Sequence, residues 1–129
     1  EHAHLQAVDN SAQGDWDLVV LTTTSKKPIY DEVPQSGRLI VAVGAFRPDM
    51  AEVGARTLGG SCIYVDEPSG ARHEAGDLIQ AQVAWERVQG LASAVAQPPD
   101  VSQPVVFKSV GSAAWDLAAA RVAVAALQR

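Results

Sequence analysis

The sequence predicts an α/β fold: a partial, Rossmann-like, doubly wound sheet that is largely parallel and carries flanking helices. Two observations lead to this prediction. Four apolar stretches run almost unbroken, which is typical of parallel strands buried on both faces. Segments with helical spacing or with helix-stopping glycines separate most of these stretches, so strands and helices alternate along the chain.

The first two strands are predicted at 17–24 (DLVVLTTT) and at 38–46 (RLIVAVGAF). The segment 26–37 between them contains two prolines and predicts a loop or a broken helical turn. The polar stretch 1–14 that precedes the first strand predicts one short helix, ended by Gly14.

The middle of the chain predicts one further strand and three helices. Residues 50–58 predict a short helix closed by the glycine pair that follows it, and 62–67 (CIYVDE) predicts the third strand. Helices are then predicted over 70–81 and over 84–95, because apolar side chains in the second of these recur along one face.

A proline-rich loop over 97–104 leads into the fourth predicted strand, 104–110. The last helix is predicted over 113–128, with Ser112 as its N-cap. This helix is rich in alanine and apolar on most sides, so we expect it to be buried against another element.

Composition and charge argue against several classes of protein, among them nucleic-acid-binding and membrane-spanning proteins. The 129 residues suffice for one hydrophobic core and not for two. A net charge of −5 without any Lys/Arg cluster would repel phosphate backbones, so we expect no nucleic-acid partner. The longest strongly apolar run is eight residues, which is too short to span a bilayer, so we expect a cytoplasmic protein without a membrane partner. Cys62 is the single cysteine, and we expect its thiol to be buried and inert.

No G-x-G-x-x-G string follows a strand in this chain, so the residues alone do not establish a dinucleotide site. In a parallel sheet, ligands bind at the carboxyl ends of the strands. The predicted ends are Thr22–Thr24, Val43–Phe46, Asp66 with Glu67, and Ser109–Gly111.

Hydroxyl groups and a glycine stand at three of these ends. Thr22, Thr23 and Thr24 can bind a ribose or a carboxamide without adding charge, although Ser/Thr turns and β-propensity explain them equally. Gly44 lets a flat ring or a backbone segment approach closely, or is simply a turn glycine. Ser109 precedes a helix N-terminus, which favours polar or anionic ligand groups.

Two further segments carry charge. Glu74 and Asp77 are three residues apart, on one face of the predicted helix, where they serve either acid/base chemistry or the helix dipole. Lys108 alternates away from Ser109 on its strand, which predicts a solvated or paired ammonium group. No cluster with metal-ligand spacing is present, so we expect no metal site.

Four strings together resemble the ornithine cyclodeaminase/mu-crystallin family, in order and at the family's spacing. They are DLVVLTTTSKKP at 17–28, VAVGAFRPDMAEVG at 41–54, GARHEAGDLIQ at 70–80 and VFKSVGSAAWDLAAA at 106–120. The likeness is greatest to the ketimine-reducing branch, the Δ1-pyrroline-2-carboxylate reductases. The resemblance implies NAD(P)H as cofactor and a cyclic imino acid as substrate, which is reduced to L-proline or L-pipecolate.

The resemblance also implies roles for residues. Contacts with the cofactor fall to Thr22, Thr23, Thr24, Ala42, Val43, Gly44 and Ser109, and positions near the substrate to Phe46, Glu74 and Val110. In the family's cyclodeaminases, an aspartate two residues after the glycine is the catalytic acid/base. Phe46 stands there in this sequence, and a phenyl ring cannot accept a proton, so imine reduction fits better than ornithine cyclisation.

In domain terms, the resemblance implies that 1–111 is the second half of an NAD(P)-binding domain. Residues 112–129 then form a helix that leads toward a substrate and dimerisation domain outside this chain. Because the family's proton-handling lysine and carboxylate-binding arginines belong to that domain, we expect no catalytic residue here. We also expect a homodimer formed through that domain, and an isolated 129-residue piece that is inactive.

Three alternatives remain open at this point. The parent protein could be an ornithine cyclodeaminase, or it could be an alanine dehydrogenase relative, which differs from the reductases only in the substrate domain. It could also be a non-enzymatic protein that binds small molecules, as mu-crystallin does.

Overall fold

A computed structural model describes residues 16–128. Its centre is a five-stranded sheet, in which every pairing is parallel and the strand order is β1-β2-β5-β3-β4. The strands are β1 Leu18–Leu21, β2 Leu39–Ala42, β3 Cys62–Val65, β4 Val88–Gly90 and β5 Val105–Lys108. The helices are α1 Ala55–Gly59, α2 Pro68–Glu74, α3 Gly76–Gln80, α4 Leu91–Ala96 and α5 Ala113–Leu127. The predicted α/β class and parallel sheet are confirmed, whereas the helix expected within 1–14 lies outside the described residues.

The core lies on one face of the sheet. Every second strand residue points to this face, where helices α1, α2 and α3 contribute the opposing side chains. The buried cluster consists of Ile40, Ala42, Val53, Leu58, Ile63, Val65, Ala71, Ala75, Leu78 and Val106. Their burial removes a continuous apolar surface from water, and this fixes which face of each strand points inward.

The opposite face is partly open near β1. Leu18 and Val20 are each 56% exposed, so β1 is not buried on both faces within the described part of the chain. Side chains of a strand alternate between the two faces of the sheet, and this explains why Cys62 is exposed rather than buried as predicted. It begins β3 on the open face, while its neighbour Ile63 is fully buried in the core.

Helix α5 has the predicted bounds within one residue, and the Ser112 hydroxyl caps it by accepting from the Ala114 N–H at 3.3 Å. The expected burial of this helix is wrong for the described chain, because none of its residues is buried. An apolar composition predicts that a helix will be covered but does not say by which element. No helix among residues 16–128 has the length and apolar character needed to cross a membrane.

Three predicted helices differ in the structure. The helix expected over 50–58 begins only at Ala55, because Val53 pairs with Tyr30 in a β-bridge. The segment 84–95 forms a 3-10 turn at Trp85–Arg87, then β4, then α4, because Val88 pairs with Ile63 at the edge of the sheet. The part of the chain that the structure describes therefore contains five strands rather than the predicted four. The helix expected over 70–81 is two helices that meet at Ala75, since Gly76 packs against the backbone carbonyls of Arg47 and Met50.

Candidate functional site

The candidate site is the edge of the sheet where the strands end. The last paired row consists of Leu21, Ala42, Lys108, Val65 and Gly90. Three hydrogen bonds extend the sheet by one residue: Val43 N–H donates to Leu21 O at 3.0 Å, Ser109 N–H to Ala42 O at 3.0 Å, and Asp66 N–H to Lys108 O at 3.4 Å. Val43, Ser109 and Asp66 therefore lie side by side, about 4.8 Å apart in the direction across the strands.

Glu52 joins the ends of β1 and β2. Its side chain is fully buried, and its Oε1 accepts a short hydrogen bond from the backbone N–H of Thr23. Its Oε2 accepts from the N–H groups of Gly44, at 2.7 Å, and Ala45, at 3.2 Å. One carboxylate thus satisfies three backbone donors of the edge, where an unpaired donor would cost about 1–3 kcal/mol.

Gly44 is required by this arrangement. A Cβ at position 44 would lie 2.5 Å from Glu52 Oε1 and would overlap the backbone carbonyl of Thr23. Of the two partners that the sequence allowed for a close approach, a ring or a backbone, the structure shows the backbone. The glycine therefore allows β1 and β2 to end against the same carboxylate.

Below this edge, Asp77 and Lys108 form a buried ion pair. Asp77 Oδ2 lies 3.3 Å from Lys108 Nζ, and the two side chains are 1% and 0% exposed. Asp77 Oδ1 accepts from the backbone N–H groups of Glu52, at 2.5 Å, and Val53, at 2.7 Å. Lys108 Nζ also donates to the Ala42 carbonyl at 3.2 Å. The pair therefore connects α3 to β5, to β2 and to the segment that carries Glu52.

Burial lowers the pKa of Lys108, while the charges of Asp77, Glu52 and Asp66 oppose that shift. The paired alternative for Lys108 is thus confirmed. The pairing of Glu74 with Asp77 on one helix face is wrong, because Glu74 ends α2, where it is exposed, and Asp77 belongs to α3. The break between the two helices at Ala75 separates the carboxylates.

Asp66 joins the ends of β3 and β5, as Glu52 joins the ends of β1 and β2. Only 6% of it is exposed. Its Oδ2 accepts from the Ser109 hydroxyl at 2.7 Å, the Val110 N–H at 3.0 Å and the Gly111 N–H at 2.7 Å. Gly111 has a φ of +86°, a conformation that favours glycine, and this brings its N–H onto the carboxylate. The sequence placed Asp66 at a strand end but gave it no role.

The exposed hydroxyl residues lie at the β1 end of the edge. Thr22, Thr23 and Thr24 are all exposed, and a cavity of about 660 Å³ is lined by Leu21, Thr23, Thr24, Ser25 and Ile29. Val43 and Phe46 are exposed apolar residues after β2, and Val110 is half-buried. Ala42 is fully buried and its carbonyl accepts from the Ser109 N–H and from Lys108 Nζ, so its contact with the cofactor stays a prediction. Among residues 16–128, no hydrogen bond or ion pair connects Glu74 to this edge. Its position near the substrate therefore stays a prediction.

The donor set indicates what kind of ligand fits. Neutral hydroxyls and exposed apolar side chains suit a ribose and a flat, uncharged heterocycle. The backbone N–H groups of Thr23, Gly44, Ala45, Val110 and Gly111 already donate to carboxylates. Such groups would otherwise bind phosphate oxygens. The edge therefore fits the nicotinamide and ribose end of a dinucleotide and does not supply a cradle for its pyrophosphate.

Comparison with known proteins gives a consistent result. The model of the ornithine cyclodeaminase/mu-crystallin family matches residues 4–128. A Δ1-pyrroline-2-carboxylate/Δ1-piperideine-2-carboxylate reductase from Azospirillum brasilense is 56% identical over 111 residues, which are 86% of this chain and 36% of that protein. The chain thus spans about a third of the length of such relatives.

Two solved structures resemble the fold. A Thermococcus litoralis Δ1-pyrroline-2-carboxylate reductase in complex with NADH and L-proline has a TM-score of 0.68 and 26% identity, over 75% of this chain and 33% of that one. An archaeal alanine dehydrogenase dimer with bound NAD has a TM-score of 0.70 and 28% identity, over 82% of this chain and 36% of that one. With the family model matching nearly the whole sequence, the chain belongs to the ornithine cyclodeaminase/mu-crystallin family.

Proposed function

We propose that this chain is part of an NAD(P)H-dependent oxidoreductase that reduces a cyclic imino acid. The substrate is Δ1-pyrroline-2-carboxylate or Δ1-piperideine-2-carboxylate, and the product is L-proline or L-pipecolate. The observation that carries the proposal is the 56% identity to the Azospirillum reductase over 111 residues of this chain. The exposed hydroxyl residues of the candidate edge support the same conclusion.

The cofactor, when bound, supplies the hydride that the imine carbon accepts. The residues of this chain bind and orient its nicotinamide end. We assign this role to the side chains of Thr22, Thr23, Thr24 and Ser109 and to the backbone of Ala42, Val43 and Gly44. Glu52 holds the first two strand ends at a fixed separation, so the groups on either side of the nicotinamide are positioned before the cofactor arrives.

Phe46 and Val110 lie beside these groups in sequence and supply apolar surface near the reacting ring, with Glu74 as a third substrate-side position. An apolar wall excludes water from the site, which protects a hydrolysable imine. Because a phenyl group cannot exchange protons, Phe46 favours reduction over ornithine cyclisation. We assign the proton donor, and any other catalytic residue, to the part of the protein outside this chain.

The domain assignment is also a proposal. Residues 1–111 form the second half of a dinucleotide-binding domain, and 112–129 form a helix that leads to a substrate and dimerisation domain. The exposed apolar side chains of α5, including Trp115, Leu117 and Val122, support this assignment, because an apolar helix is stable when another element covers it. We further propose a cytoplasmic homodimer that assembles through that domain.

The test is a turnover assay on the longer protein of which this chain is a part. We expect loss of reduced-nicotinamide absorbance that depends on added cyclic imine and stops when the imine is consumed. Pyruvate with ammonium is the second substrate to be tried, because the fold resembles an NAD-bound alanine dehydrogenase. Turnover of pyruvate alone would replace the imine assignment, and cofactor binding without any turnover would indicate a binding protein.

A further inference from the structure

Asp66 and Ser109 define a hydrogen bond whose direction is fixed. The Ser109 Oγ lies 2.7 Å from Asp66 Oδ2, and the same oxygen accepts from the backbone N–H groups of Val110 and Gly111. An ionised carboxylate accepts hydrogen bonds and donates none. The hydroxyl proton of Ser109 therefore points toward Asp66.

A serine hydroxyl has one proton and two lone pairs. With the proton given to Asp66, the Ser109 Oγ offers only lone pairs to any further partner. Ser109 is half-buried at the end of β5, beside Val43 in the same row of the edge. A ligand group that binds this oxygen must consequently be a donor, such as an N–H.

We propose that Asp66 is a positioning residue that makes Ser109 an obligatory acceptor, and that Ser109 Oγ binds the carboxamide NH2 of the nicotinamide. This inference rests on the proposed function, since it requires a nicotinamide cofactor at this edge. A carboxamide has an NH2 donor on one side and a carbonyl acceptor on the other. An acceptor-only serine binds one of these sides and not the other, so it selects one rotamer of the carboxamide and one orientation of the ring.

The surrounding contacts explain why a carboxylate performs this task. Its Oδ1 accepts from the Glu67 N–H at 2.9 Å, which fixes the side chain from the opposite side. The three donors on Oδ2 come from consecutive residues after β5, so Asp66 sets the position of the loop and the polarity of the hydroxyl at once. Because this hydroxyl is already held in one orientation, little further conformational entropy is lost when the cofactor binds.

The experiment compares two cofactors on the full-length protein. Oxidised NAD carries the carboxamide, whereas 3-acetylpyridine adenine dinucleotide carries a methyl ketone that keeps the carbonyl and lacks the N–H. Calorimetry gives the Kd of each for the wild type and for Ser109→Ala. We expect the ratio of the two Kd values to favour the carboxamide by roughly 3- to 10-fold more in the wild type than in Ser109→Ala. The comparison of ratios removes the intrinsic difference between the two rings.

Asp66→Ala is the second variant. It frees the Ser109 proton, so the preference for the carboxamide should fall to the Ser109→Ala level, and adding Asp66→Ala to Ser109→Ala should not change the ratio further. Ser112→Ala is the matched control, because Ser112 lies three residues from Ser109 and caps α5 instead. This control should lower the melting temperature and leave the ratio of Kd values unchanged.

The possible outcomes distinguish a failure of this inference from a failure of the proposed function. A ratio that is the same in the wild type and in Ser109→Ala overturns the acceptor role of Ser109, while turnover of a cyclic imine leaves the proposed function standing. A wild type that binds neither cofactor overturns both. If Asp66→Ala does not fold, the comparison of the wild type with Ser109→Ala still decides whether Ser109 accepts from the carboxamide.

Discussion

The backbone N–H of Thr23 donates to the carboxylate of Glu52, a residue 29 positions further along the chain. The same carboxylate accepts from Gly44 and Ala45, so the ends of β1 and β2 meet on one buried charge. Asp66 repeats this arrangement at the ends of β5 and β3. Two acidic side chains thus position the edge at which the proposed cofactor binds. Thr23 is exposed at this edge, and the hydroxyl of Ser109 donates to Asp66.

Gly44→Ala should destabilise the protein by about 1–3 kcal/mol or more, because the new methyl group overlaps the Thr23 backbone and approaches Glu52. Gly59→Ala is the matched control: it lies in α1, and nothing is within 4 Å of its added Cβ. That control should be neutral or stabilising by up to about 1 kcal/mol. Urea unfolding of the full-length variants measures both, and equal losses at the two positions would contradict the role given to Gly44.

Lys108→Met should destabilise the protein by about 3–5 kcal/mol, because it leaves Asp77 as a buried charge without its partner. Adding Asp77→Asn should restore part of the loss, since Asn Oδ1 can still accept from the Glu52 and Val53 N–H groups. Denaturant unfolding of the single and double variants tests this. A double variant less stable than Lys108→Met would show that the charge of Asp77 is not the source of the loss.

Glu67 should make stability depend on pH in the acid range. Its side chain caps α2 by accepting from the Ser69 hydroxyl and from the Ser69 and Gly70 N–H groups, and these bonds lower the pKa of Glu67 below its ordinary value of 4.5. A lowered pKa in the folded state means that the stabilisation is complete above pH 4.5 and is lost as the pH falls through the folded-state pKa.

Comparing Glu67→Gln with the wild type across this pH range isolates the effect. The stability difference between them should be largest near neutral pH and should shrink on acidification. A difference that grows as the pH falls would contradict the assigned direction of the pKa shift.

The isolated 129-residue chain should bind NAD(P)H at least ~100-fold more weakly than the full-length protein. The edge described above offers no cradle for the pyrophosphate, and loss of two charge-assisted contacts of about 1.5–3 kcal/mol each accounts for that factor. Calorimetry on both proteins measures it. Micromolar binding by the isolated chain would show that the nicotinamide edge alone supplies most of the affinity.

The sequence by itself determined the class of the fold, four of the five strands and the row of residues at their ends. Local signals sufficed there: unbroken apolar runs define buried strands, and Ser112 followed by an alanine-rich stretch defines the start of α5. The same signals placed Thr23, Gly44 and Ser109 at one edge, because parallel strands end on the same side of a sheet.

Only the tertiary structure decided what those residues contact. Nothing local distinguishes Glu52 or Asp66 from a surface carboxylate, because the strand-end groups that they bind are 7 to 45 residues away in the chain. Edge pairing with β3 turned part of a predicted helix into β4, since a strand's hydrogen bonds depend on its neighbour and not on its own sequence. Burial of Lys108 likewise became possible only when folding placed Asp77 beside it, because a buried ammonium group requires a counter-charge.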